Sequence, residues 1–115
     1  MDDIFLKIIK GEIPSSKVYE NDKVYAFEDI HPQAPVHILI VHKEMTENIN
    51  DTNDENSYIF SDLFMAAKKI AKLTGISESG YRTIINTGPD AGQEVYHMHL
   101  HLLGGKKLGP LVAEK

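Results

Sequence analysis

The chain has 115 residues, 42% of them hydrophobic and 25% charged, with a formal net charge of −5. That length suits a single domain, 1–115, with one core, and the acidic balance argues against nucleic-acid or membrane-surface partners, which select basic proteins. The absence of cysteine excludes disulfide and thiolate chemistry, and the lack of a long apolar run predicts a cytoplasmic protein with no signal peptide or membrane span.

Along the chain, residues 3–10 read as a short helix. Asp3 caps it, Ile4, Phe5, Ile8 and Ile9 form its apolar stripe, and Gly11 stops it. Lys17 to Glu20 and Val24 to Glu28 read as two strands joined by Asn21-Asp22-Lys23. The β-branched run Val36 to Val41 predicts a buried strand. Thr46 to Asn50 has the length of one helical turn. Thr52 and Glu55 stand at capping-box spacing before a long helix, about 54–74. Its expected buried stripe is Ile59, Leu63, Phe64, Ala66, Ala67, Ile70, Ala71 and Leu73, and Gly75 ends it. Tyr81 to Asn86 and Val95 to Leu103 read as two more strands around a loop, Thr87 to Gln93. Strands and helices come in blocks, so the expected fold is α+β: a mainly antiparallel sheet of about five strands with one long and one short helix.

The chemistry concentrates in His97-Met98-His99-Leu100-His101. A strand has period two, so its three imidazoles project from one face and Met98, Leu100 and Leu102 from the other. Burying such a row is costly unless each ring has a partner. Two histidines spaced two apart on a strand can share a metal, with His37 as a further ligand. However, His97 and His101 lie roughly 13 Å apart on an extended strand, too far for one tetrahedral centre with Zn–N bonds of about 2.0–2.1 Å. Nucleophilic or acid–base catalysis fits better, because an imidazole either attacks or holds a proton near neutrality. No metal and no other cofactor is expected.

Next to that strand, the loop Asn86 to Glu94 carries Gly88 and Gly92, whose freedom lets backbone N–H groups approach an anion. Asn86 and Gln93 are candidates to orient a polar group. His37 lies in an apolar strand expected to neighbour the histidine row, whereas His31 and His42 flank loops and read as surface residues. Asp29 ends a strand with a carboxylate able to accept from a diol such as a ribose. Phe5, Ile8, Ile13, Phe27 and Ile30 are candidates for an apolar slot, with core packing as the alternative for the aliphatic ones. The acidic residues at 47, 51, 54 and 55 read as solvated.

The run His97 to Leu103 resembles the H-φ-H-φ-H-φ-φ signature of the histidine triad (HIT) superfamily of nucleotide hydrolases and transferases. Asp3-Ile4-Phe5, Gly11-Glu12-Ile13-Pro14, Phe27-Glu28-Asp29-Ile30, Pro32-Gln33-Ala34-Pro35-Val36-His37 and Gly92-Gln93-Glu94-Val95-Tyr96 are similar to segments in the same places. The ending Leu103-Gly104-Gly105 is similar to the HINT branch, the purine nucleoside phosphoramidases, and the tail, without the tryptophan of animal members, is closer to bacterial-type endings. The resemblance implies a homodimer with a sheet continuous across the interface and a purine nucleotide as substrate. It implies that His99 attacks the α-phosphorus of a nucleoside 5′-phosphoramidate and that water then releases the nucleotide. The amine leaves better once protonated, so His101 or a phosphate-borne proton is the candidate acid. The resemblance further implies that His101 also contacts the phosphate, that His97 and His37 buttress the site, that Asn86 and the amides around Gly92, Gln93 and Glu94 hold the phosphate, and that Asp29 holds the ribose. Many members of that branch carry Ser or Thr where this chain has Glu94, a departure that bears on the leaving group. The alternatives are a dinucleoside polyphosphate hydrolase or nucleotidyl transferase on the same fold, or a nucleotide-binding dimer with little activity.

Overall fold

A computed structural model describes residues 3–113. The fold is α+β: one antiparallel sheet in the order β1-β2-β3-β5-β4 with a helix on each face. The strands are β1 (Lys17–Glu20), β2 (Val24–Glu28), β3 (Val36–His42), β4 (Tyr81–Ile84) and β5 (His99–Gly104), and the helices α1 (Ile4–Ile9) and α2 (Tyr58–Leu73).

Helix α1 is short and leans on its cap. Asp3 Oδ1 accepts from the Phe5 N–H at 2.8 Å and the Leu6 N–H at 3.3 Å, satisfying two donors that the first turn leaves open. The β1–β2 turn closes similarly, with Asn21 Oδ1 accepting from the Lys23 and Val24 N–H groups, both at 2.8 Å.

The central pair, β3 and β5, separates the two functions of the molecule. Register places Leu39 opposite His101 and Val41 opposite His99, while Ile38 faces Leu102 and Ile40 faces Leu100. Ile38, Ile40, Met98, Leu100 and Leu102 pack under Ile59, Leu63, Ala66, Ala67, Ile70 and Ala71 of α2, with Val24 and Ala26 from β2. Full burial of each large aliphatic there contributes about 1.5–3 kcal/mol. On the opposite face, Phe5 and Ile8 of α1 cover Tyr25, Phe27, Leu39 and Val41. The histidines stand beside this second cluster.

Several boundaries differ from the sequence reading. The expected capping box does not form: Asn53 Oδ1 takes the Glu55 and Asn56 N–H groups in a turn, so α2 begins only at Tyr58. Phe64 and Leu73, expected in the buried stripe, are exposed, because six smaller or better-placed side chains already fill the sheet-facing arc. The turn expected over Thr46 to Asn50 is a 3₁₀ turn at Ile49–Asp51. The fourth strand stops at Ile84. The fifth begins at His99, because Met98 donates its N–H to the Thr46 carbonyl rather than to a strand. Side-chain alternation nonetheless persists through this irregular stretch, with Met98 in the α2 core and His97 against Phe5.

Candidate active site

The sheet face carrying α1 opens into a cleft of about 500 Å³. Of the residues singled out from sequence, Phe5, Asp29, His37, Asn86, Gly92, Glu94, His99 and His101 line it. Phe27 and Ile8 are buried beneath it in the α1 cluster, and Ile13 packs at that cluster's margin. Ile30 is 85% exposed, between Asp29 and His31 of the cleft wall.

Each ring of the histidine group has a partner. The carbonyl and amide groups of the backbone determine where the protons sit. His37 Nδ1 accepts the Gln33 N–H at 3.0 Å, so the ring carries its proton on Nε2. That Nε2–H donates to His101 Nδ1 at 3.0 Å, which leaves the His101 proton on its own Nε2. His99 Nδ1 sits 2.8 Å from the His97 carbonyl. A carbonyl only accepts, so His99 donates through Nδ1 and keeps the lone pair on Nε2 free. Among the described residues nothing bonds His99 Nε2 or His101 Nε2, and both rings line the cleft.

Electrostatics keep these rings neutral. Burial lowers the pKa of His99, aided by the charge on His97 and opposed by the hydrogen bond to the His97 carbonyl. His37 is lowered by burial, with Asp29 pulling the other way. His101 is pushed down to about 4, by burial first and then by His99 and His37. Asp29 is positioned by its own backbone, its Oδ1 accepting the His31 N–H at 2.8 Å. Its Oδ2 lies 3.5 Å from His37 Nε2. Ligand atoms of Asp29, His37 and His101 all lie within 4.8 Å of one another, a set able to hold a cation. Their hydrogen-bond chain accounts for the same closeness.

Gln93 departs from its expected role. Its side chain is buried and turned into its own loop, where Oε1 accepts the Gly88 N–H at 2.9 Å and Nε2 donates to the Glu47 carbonyl at 2.7 Å. It clips the loop in place, while Gly92, at φ +84°, makes the turn back toward β5. His42, expected at the surface, is buried, with Nε2 against Asp62 of α2 at 2.9 Å and Nδ1 accepting the Glu44 N–H at 3.0 Å. Sequence reasoning missed Gln33, His31, Leu39, Ile84 and Leu103 in the cleft wall. Leu39 was findable, since it shares a strand face with His37; Ile84 required knowing that it pairs with His101 across β4 and β5.

The HIT domain model matches residues 10–108. The chain is 52% identical over 112 residues to the purine nucleoside phosphoramidase of Escherichia coli K12, covering 97% of this chain and 94% of that protein. Among solved structures, the HIT family hydrolase of Clostridium thermocellum superposes with a TM-score of 0.93 at 48% identity, and a histidine triad protein from Clostridium difficile with 0.93 at 49%, each covering 97% of both chains. The chain belongs to the HIT family.

Proposed function

We propose that the chain is a hydrolase of purine nucleoside 5′-phosphoramidates that works through a nucleotidyl-histidine at His99. The observation that carries this reading is the free Nε2 of His99, aimed by the hydrogen bond from its Nδ1 to the His97 carbonyl on a ring that burial keeps neutral. The phosphoramidase name of the E. coli relative supports the substrate class.

In the first step His99 Nε2 attacks the α-phosphorus. The P–N bond to His99 forms as the P–N bond to the amine breaks, and the amine takes both electrons of that bond. His99 keeps its proton on Nδ1, donated to the His97 carbonyl, throughout. The amine leaves better once protonated. A group with a pKa of about 4 is protonated in only about one molecule in a thousand at neutral pH. His101 Nε2–H is therefore a hydrogen-bond donor to a phosphoryl oxygen rather than the acid, and the leaving nitrogen carries a proton that the phosphoramidate group takes up from solvent before attack, so that a neutral amine departs. In the second step water attacks phosphorus, the P–N bond breaks with both electrons returning to His99 Nε2, and the attacking water gives up a proton to solvent, leaving the nucleoside monophosphate. Loop amides around Gly92 and Glu94, with Asn86, hold the phosphate, and Asp29 takes the ribose hydroxyls. The working unit is a homodimer of single-domain chains whose sheets join across the interface.

The direct test is AMP release from adenosine 5′-phosphoramidate by the wild-type protein in EDTA. Turnover undiminished by EDTA is expected. No release would move the reading to dinucleoside polyphosphates, and loss of release with EDTA would assign the chemistry to a metal at Asp29, His37 and His101.

The same neutral rings make stability pH-dependent. The folded-state pKa values of His37, His99 and His101 lie below the ordinary histidine value of 6.5. The unfolded chain therefore binds more protons than the native one between about pH 4 and 6.5, and stability rises with pH across that window. The contribution of these three rings is complete above 6.5 and is lost as pH falls toward the folded-state values. Thermal melts in matched ionic strength are expected to show Tm falling from pH 7 to pH 5. Replacing His101 with asparagine is expected to flatten that fall, and an unchanged slope would contradict the assignment.

A further inference from the structure

His97 is the most buried ring of the group, at 1% exposure, and its Nε2 and Nδ1 face only acceptors. Nε2 lies 2.9 Å from the His42 carbonyl and Nδ1 2.6 Å from Asp3 Oδ2. Neither a carbonyl nor an ionised carboxylate donates, so both ring nitrogens must. We propose that Asp3 is a positioning residue of this site: it holds His97 as a doubly donating imidazolium, and thereby fixes the His97 carbonyl that orients His99. The proposal rests on the reading of His99 as nucleophile.

The geometry joins three elements through this one ion. Asp3 spends Oδ1 on the first turn of α1 and Oδ2 on His97, so the helix cap and the ring share a carboxylate. The His42 carbonyl ties the other edge of the ring to the end of β3. Phe5, two residues after Asp3, stands edge-on to His97 at 5.8 Å and to His99 at 5.0 Å between ring centroids. A buried ion pair with both donors satisfied is a rigid joint, and removing one member leaves an uncompensated charge. The residue whose carbonyl directs His99 is thus clamped at both edges of its own side chain.

Asparagine at position 3 separates this role from capping, because Asn caps a helix as well as Asp does. In Asp3→Asn the amide can donate to Nδ1, and His97 becomes a neutral ring with its proton on Nε2. Side-chain 15N NMR of the full-length protein at neutral pH reads both states without needing turnover. Wild type is expected to show two protonated nitrogens on His97 and a single Nδ1–H tautomer on His99. Asp3→Asn is expected to show a neutral His97 and mixed tautomers on His99. For adenosine 5′-phosphoramidate, kcat is expected to fall about 10–100-fold, with KM changed less than about threefold. Asp3→Ser, which also keeps a cap, serves if the first variant does not fold. A neutral His97 in wild type, or unchanged His99 tautomers in the variants, would overturn the proposal. A wild type that does not turn over phosphoramidate would instead overturn the substrate reading, with the NMR result still deciding the role of Asp3.

Discussion

Replacing His99 with alanine is expected to lower kcat for adenosine 5′-phosphoramidate by about 10⁴-fold or more, the scale seen when a nucleophile that acts within a positioned group is removed. Nucleotide binding should survive, since Asp29, His101 and the loop proposed to hold the phosphate are untouched. AMP titration of the variant is expected to give a Kd within about tenfold of wild type, as removing a group that acts mainly in the transition state leaves ground-state binding in place. The fold should also persist. The lost ring contacts Phe5 edge-on and the His97 carbonyl, at the rim of the smaller core rather than beneath α2. Rapid quenching of wild type with labelled substrate should trap label on the protein, and the variant should trap none. Near-wild-type turnover in the variant would remove His99 from the reaction.

His101→Ala is expected to cost about 10²–10³ in kcat, the scale of one preorganised donor lost from a charged transition state. The variant also strands the His37 Nε2–H, whose nearest remaining acceptor is Asp29 Oδ2 at 3.5 Å. The informative measurement is a series of phosphoramidates with amines of different basicity. A neutral donor to a phosphoryl oxygen contributes equally whichever amine departs, so the loss should be the same across the series. A loss that grows steeply with amine basicity would mean that His101 delivers the leaving-group proton, against the direction in which burial and its neighbouring rings drive it.

What the sequence made legible follows the range of the interaction responsible. Asp3 as a cap, the Asn21 turn, the five strands and the two-faced histidine run all depend on neighbours within a few residues, and patterns of that length report them. The start of α2 was misplaced because Asn53 and Asn56 also bond locally and outcompete the Thr52–Glu55 spacing. His42 read as a surface residue because Asp62, its partner, is contributed by α2. Gln93 read as a ligand-facing amide because its acceptor, the Glu47 carbonyl, is 46 residues away. The second duty of Asp3 was invisible for the same reason, since His97 lies 94 residues further along. The residues lining the site were thus mostly identifiable, while the contacts that hold them there were not.

The alternation along β5 sets how this chain can change over time. Substitutions at 99 and 101 alter one face and leave Leu100 and Leu102 in place, so chemistry and packing drift independently. A single-residue deletion between 98 and 103 has no such freedom. It would slip the register by one and exchange the faces, sending imidazoles under α2 and leucines into the cleft. Lineages descended from such a chain should tolerate length variation in exposed turns such as Ser77 and Glu78, and record almost none across the histidine run.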